Sequence, residues 1–141
     1  MSKKKPASKK KPASKKKPAA SEQKPPADVR KALEAAEELE LTVTGRISGE
    51  PSTRPVWFVV KGKTLFLLPV TGSDSHWYQN VLANPTVTLS AGRLRWTAPA
   101  KPISDPDKVH EVVEMFQDKY GASEIKQYYT KLDVAVAVPL P

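Results

Sequence analysis

The chain has 141 residues and 39% hydrophobic content, enough for one small domain and too little for two. It has no cysteine, which excludes disulfides, thiolate chemistry and any Cys-based zinc site. Its net charge of +8 is unevenly placed: residues 1–24 hold ten lysines and one glutamate, a balance of +9, so the remainder sums to −1.

The basic segment is a tandem repeat. SKKKPA occurs three times, beginning at Ser2, Ser8 and Ser14. With no large apolar residue after Met1, it has nothing to bury against the entropy of ordering, and a proline in each repeat interrupts any helix. A disordered tail over 1–26 and one folded domain over 27–141 are expected. The Lys-Pro-Ala runs resemble the tails of linker histones and some bacterial nucleoid proteins. Residues 2–24 therefore read either as a non-specific nucleic-acid contact or as a solubilising extension.

After Pro25-Pro26, Asp28 is placed to cap a helix over 29–39, with Val29, Leu33 and Ala36 on one face. Residues 40–44 alternate as a half-buried strand, with Leu41 and Val43 on the apolar side. The run 53–60 is apolar on both faces, which predicts a strand covered by the core on one side and by a helix or a second subunit on the other. Lys61-Gly62-Lys63 turns the chain into a third strand over 64–70. Ser73 or Asp74 then caps a short helix carrying Trp77 and Val81, which Asn84-Pro85 ends.

A second hairpin pairs 86–90 with 93–100 about Ala91-Gly92. Ser104 or Asp105 caps the best-patterned helix, in which Val109, Val112, Val113, Phe116 and Tyr120 form one stripe and Gly121 marks the stop. A shorter helix over 123–129 precedes a last strand over 132–138. Six strands joined mostly by hairpins predict a small, mainly antiparallel β-barrel with appended helices. No apolar run approaches the roughly 20 residues that span a bilayer, so a soluble, cytoplasmic protein without membrane contact is expected. His76 and His110 lie far apart and form no metal-ligand pair.

Two polar turns carry the candidate chemistry. In Gly45-Arg46-Ile47-Ser48-Gly49 the glycines allow close backbone approach, while Arg46, Ser48 and free amides suit an anion. The same five residues also read as a plain turn with a surface arginine. Trp77 reads either as core or as a ring-stacking residue, and Asn80 as a ligand contact or a local cap. Trp57 and Trp96 read as packing residues.

The order of these motifs resembles the deazaflavin-dependent nitroreductase family of flavin-binding split β-barrels, within the pyridoxamine-phosphate-oxidase-like superfamily. The residues that carry the resemblance are Thr44-Gly45-Arg46, Ser48-Gly49, Pro55-Val56-Trp57, Thr71-Gly72-Ser73, Trp77-Tyr78-Gln79-Asn80-Val81, Asn84-Pro85 and Tyr128-Tyr129-Thr130-Lys131. It implies a deazaflavin coenzyme or FMN at the interface of a homodimer, and hydride transfer to a small organic acceptor such as a quinone or nitro compound. FMN stays beside the deazaflavin because Ile47, Glu50 and Ser52 stand where members often carry Lys or Arg.

On this resemblance Arg46, Ser48, Gly49 and Arg54, with Pro55 beside them, hold phosphate. Thr71, Gly72 and Ser73 supply backbone donors, Trp77 and Asn80 contact the cofactor, and Tyr128 is the proton donor; by periodicity Tyr128 equally reads as a packing residue, with Ile125 and Leu132 on the same helix face. A non-enzymatic flavin- or heme-binding module and a nucleoid protein dimerising through the barrel are the other readings.

Overall fold

In the computed structural model, residues 26–141 are described. The SKKKPA repeats, and every expectation about them, lie outside these residues. Along the described chain run α1 (Pro26–Glu34), β1 (Leu39–Thr44), β2 (Pro51–Val56), β3 (Phe58–Lys61), β4 (Thr64–Leu67), α2 (His76–Ala83), β5 (Thr86–Ala91) and β6 (Leu94–Pro99). β7 (Lys101–Ile103), α3 (Pro106–Tyr120), α4 (Ala122–Tyr128) and β8 (Ala135–Pro139) follow. Among them no helix is long and apolar enough to cross a membrane.

The strands form two four-stranded sheets, ordered β2-β1-β5-β6 and β3-β4-β8-β7, in which every pair is antiparallel. Only Trp57 separates β2 from β3, and only Ala100 separates β6 from β7. Each of these two long runs leaves one sheet and enters the other, and the two crossings join the sheets into a split barrel. The count is therefore eight strands, where the hydrophobic pattern predicted six. A corner interrupts the hydrogen-bond ladder without interrupting the apolar run, so pattern alone joins what the barrel divides. At the second corner Ala100 is buried and its amide donates to Pro85 O at 2.7 Å.

The main core lies between the sheets. Leu39, Leu41 and Val43 of β1 enter it on alternate positions, with Val87 and Leu89 of β5, Phe58, Leu65, Leu67, Val136 and Val138. α1 closes one part with Val29 and Leu33, and α2 another with Trp77, Tyr78 and Val81. A second core lies beyond β3-β4-β8-β7. There Val109, Val112, Val113 and Phe116 of α3, with Ile125 and Tyr129, pack on Val59, Leu68 and Ala135. That sheet is buried on both sides.

The outer face of 53–60 thus has two fates. At Val59 it is covered by α3, so this residue is core and not a subunit contact. Within β2, by contrast, Pro51 through Pro55 are all exposed and only Val56 is partly covered. Caps also move. Ser75, not Ser73 or Asp74, caps α2, its hydroxyl accepting from Tyr78 N, because Gly72–Asp74 already forms a 3-10 turn. Asp105 caps α3 through Lys108 N at 3.1 Å. α1 begins at Pro26 and stops at Glu34, earlier at both ends than its pattern suggested, because Leu39 is taken by β1.

Candidate functional site

A cavity of about 630 Å³ opens beside the first corner. One wall is Arg54, Pro55, Val56 and Trp57; a second is Leu68, Val70 and Thr71; a third is Ser75, His76 and Trp77 at the start of α2. Tyr128 and Tyr129 face them from the end of α4, with Glu38 and Glu124 at the same lining. This size and mixture of aromatic, apolar and few polar groups suit a small-molecule site.

Trp57, expected only to pack, is central to it. Its ring stacks on Tyr120 at 4.3 Å and 7°, and meets Tyr128 edge-on at 5.8 Å and 84°. Tyr120 is itself pinned: its hydroxyl accepts from Phe58 N at 3.0 Å and lies within donating distance of Glu37 O (2.7 Å) and Phe58 O (2.9 Å). Burial pushes this phenol up to about 12, so it stays a neutral donor at physiological pH. Lys119 donates to the same Phe58 O at 2.9 Å with its ammonium 3.6 Å above the Phe58 ring, and burial brings its pKa down to about 8. These contacts hold the corner, and with it the Trp57 wall, from the far side.

Tyr128 and Tyr129 differ although they are neighbours. Tyr129 is buried against Phe116 and Trp57, and burial, then the nearby Tyr120, pushes its phenol far up. Tyr128 is 50% exposed, and among the described residues its hydroxyl has no hydrogen-bond partner. It does not pack with Ile125 in the second core.

The turn over 71–75 is held by the segment that follows α4. Val70 O accepts from Thr130 N at 2.9 Å and Thr130 Oγ1 at 3.2 Å. Asp133 accepts from Ser73 N at 2.9 Å and from Ser73 Oγ at 2.6 Å, and Lys131 Nζ lies 3.2 Å from Asp74 Oδ2 and 3.9 Å from Asp133 Oδ2. Partial burial raises the Asp133 carboxyl. The Ser73 hydroxyl and backbone donors, with Lys131, outweigh that and leave it below the usual carboxylate range. Of the three expected backbone donors, Gly72 N is used by Pro69 O at 3.0 Å and Ser73 N by Asp133, while Thr71 lines the cavity. At the start of α2, Tyr78 N is capped by Ser75 and Gln79 N bonds to Ser75 O, whereas the amides of His76 and Trp77 have no intrahelical acceptor by helix geometry.

The first turn is built differently. Gly49 N donates to Gly45 O at 3.0 Å, and Ser48 Oγ accepts from Glu50 N at 3.1 Å. Arg46 reaches α2: its backbone N–H and its Nη1 both donate to Asn80 Oδ1, at 3.0 and 2.8 Å, and Nη1 lies 3.4 Å from His76 O. The structure therefore brings Arg46 and Asn80 to each other. It puts Arg54, Pro55, Thr71, Trp77 and Tyr128 around the cavity, and leaves Ser48 and Gly49 within the turn.

The sequence reading missed Glu38, Val56, Trp57, Leu68, Val70, Ser75, His76, Glu124 and Tyr129 as cavity residues. Val56, Trp57 and Tyr129 stand within the family motifs, and two others had a local signal. Ser75 stands three residues before Tyr78 at a helix start, and Glu124 lies one turn before Tyr128. A planar, fused-ring cofactor with an anionic tail fits what is present. The aromatic and apolar walls match the ring in size, and the α2 amide end with Arg54 matches the anion; Arg46 stands behind that end, its Nη1 3.4 Å from His76 O.

Comparison with known proteins bears on the same question. The family model of the F420H(2)-dependent quinone reductases matches residues 15–141. The F420H(2)-dependent quinone reductase of Mycobacterium tuberculosis strain H37Rv is 32% identical over 107 residues, covering 74% of this chain and 72% of that protein. A solved F420-H2 dependent reductase has a TM-score of 0.57 at 22% identity, covering 72% of this chain and 93% of that one. A second solved chain, described as a domain-swapped dimer, gives 0.58 at 22% identity, covering 72% of this chain and 79% of that one. The two structures share the fold. Of the two cofactors that the motifs left open, the family specifies the deazaflavin. The chain belongs to the F420H(2)-dependent quinone reductase family, oxidoreductases that use the deazaflavin coenzyme F420.

Proposed function

We propose that this protein reduces a small planar acceptor, a quinone or a nitro compound, held in the 630 Å³ cavity beside Trp57. The coenzyme supplies the hydride when bound. The chain's own part is to bind, orient and protonate. Trp57, Trp77, Val56 and Leu68 give a planar ring an apolar wall and exclude water from one side. Arg54 and the first amides of α2 take the anionic portion, with Arg46 behind that end.

The observation that carries this reading is Tyr128. Its hydroxyl lies on the cavity wall, half exposed and without a partner among the described residues, so it is free to donate to an acceptor oxygen. Its ring is braced edge-on against Trp57. Thr71, expected to supply a backbone donor, is a cavity residue, and Ser48, expected to hold phosphate, bonds within its own turn.

The test is turnover of menadione and of a nitroaromatic compound with reduced F420. Tyr128→Phe keeps the ring and removes the hydroxyl. Turnover should fall by roughly 10²-fold, the usual scale of general acid help, with F420 affinity unchanged. Turnover that survives the substitution removes Tyr128 from the mechanism. Wild-type turnover no faster than that of the free reduced coenzyme would make the protein a binding module.

The same reading includes a homodimer. A structural neighbour is described as a domain-swapped dimer, and β2 presents an exposed edge through Pro51, Thr53 and Pro55 next to the cavity residue Arg54. Sedimentation of the folded domain at micromolar concentration should give a dimer; a monomer throughout that range rejects it.

A further inference from the structure

The Gly72–Asp74 turn has its own backbone hydrogen bonds, Asp74 N to Thr71 O at 3.2 Å and Ser75 N to Gly72 O at 3.0 Å, but Ser73 is tied to a distant segment. Both hydrogen-bonding groups of Ser73 on that side, its N–H and its hydroxyl, go to one carboxylate that is 60 residues away in sequence. The carboxylate belongs to Asp133, five residues after Tyr128. Thr130, between them, ties to Val70 O on the other flank of the turn. Residues 128–133 therefore touch the cavity at one end and clamp the turn that bears Thr71 at the other.

We propose that Asp133 is a positioning residue for deazaflavin binding. Its carboxylate fixes the Thr71-bearing turn against the cavity and couples that turn to Tyr128. This rests on the proposed function for its ligand, but the clamp itself is visible without one. The groups facing the carboxylate are Ser73, the Lys131 ammonium, Asp74 through that same lysine, and the Tyr78 phenol, which feels its charge. Lys131 offsets the like charges of Asp74 and Asp133, so the clamp carries one neutralising cation for two carboxylates.

Three variants of the whole chain test this: Asp133→Ala, Asp133→Asn and Ser73→Ala. Titration with oxidised F420, followed by its fluorescence at neutral pH, should show about 10- to 100-fold weaker binding for Asp133→Ala, the scale of one charge-assisted hydrogen bond transmitted to the ligand site. Asp133→Asn keeps a carbonyl for Ser73 N–H and should recover most of that loss. Combining Asp133→Ala with Ser73→Ala should cost no more than Asp133→Ala alone, because both act on one contact. Amide exchange at Ser73 should quicken in Asp133→Ala while exchange in β4 and β8 stays slow.

Unchanged F420 affinity in Asp133→Ala overturns the proposal. So does a loss that tracks a falling melting temperature and is not rescued by Asn. If the wild type binds no F420, the proposed function fails. The clamp is then judged by exchange alone, and unchanged exchange at Ser73 in Asp133→Ala overturns it.

Discussion

The turns at 45–49 and 71–75 look equivalent in the sequence: each joins a strand to a functional segment and mixes glycine, serine and a polar neighbour. In the fold they are opposites. The first is self-contained, closed by Gly49 N to Gly45 O and by Ser48 Oγ, with Ile47 at its tip 90% exposed. It touches the rest of the protein through Arg46, which ends on Asn80 and His76. The second is enclosed. Residues 130–133 grip it from one side and Gln79 Nε2 holds Ser73 O at 3.1 Å from the other. A turn that shapes its own backbone can be altered with local consequences. A turn shaped by a distant segment transmits any change to the cavity it lines.

Alanine at each glycine breaks or sharpens this contrast. Gly72 has φ +60°, and a Cβ there would collide with Asp133 Oδ1 and come within 2.9 Å of Lys131 Cγ and the Lys131 carbonyl. The backbone neighbour cannot swing aside as a long side chain would. Left-handed strain of about 1–2 kcal/mol and overpacking of about 1–3 kcal/mol then add. Gly72→Ala should lower the unfolding free energy by roughly 2–5 kcal/mol in urea titration and abolish F420 binding in the fraction that folds. A loss below 1 kcal/mol would show that the clamp is loose.

Gly49 has a similar φ, +74°, but nothing lies within 4 Å of a Cβ placed there. Gly49→Ala should therefore cost only the conformational term, about 1–2 kcal/mol, with F420 affinity within a few-fold of wild type. Ile47→Lys in the same turn should change stability by no more than about 0.5 kcal/mol, since the side chain is 90% exposed. Equal losses at Gly49 and Gly72 would erase the difference between the two turns.

Acid titration sharpens it further. A carboxylate held below its usual range stabilises the fold above that range, and the contribution is lost as pH falls through its folded value. The 71–75 turn, which depends on Asp133, loosens on acidification by this route. The first turn contains no such group among its hydrogen bonds.

Much of the fold was legible. Alternation in β1 and β5, the stripe of α3 and the hairpin at Gly92 are local patterns, and each became the element it predicted. The family was legible too, because its motifs are short, ordered and read without knowing contacts. Tyr128 and Tyr129 show where legibility ends. They are the same residue at adjacent positions and both line the cavity, yet one is buried in the second core and the other is half exposed, since which side of α4 meets α3 is set by packing between helices.

By itself, the sequence determined the periodic elements, the basic segment at 1–24, the chemistry ruled out by having no cysteine, and the deazaflavin-type motif order. These depend on residue type and spacing along the chain. Only the tertiary structure decided that 51–61 turns a corner at Trp57, that Val59 lies under α3, and that Arg46 meets Asn80. It also decided that Asp133 closes on Ser73 across 60 residues. Such contacts depend on how two sheets and two helices close on one another, and no local spacing encodes which distant carboxylate will reach a given turn.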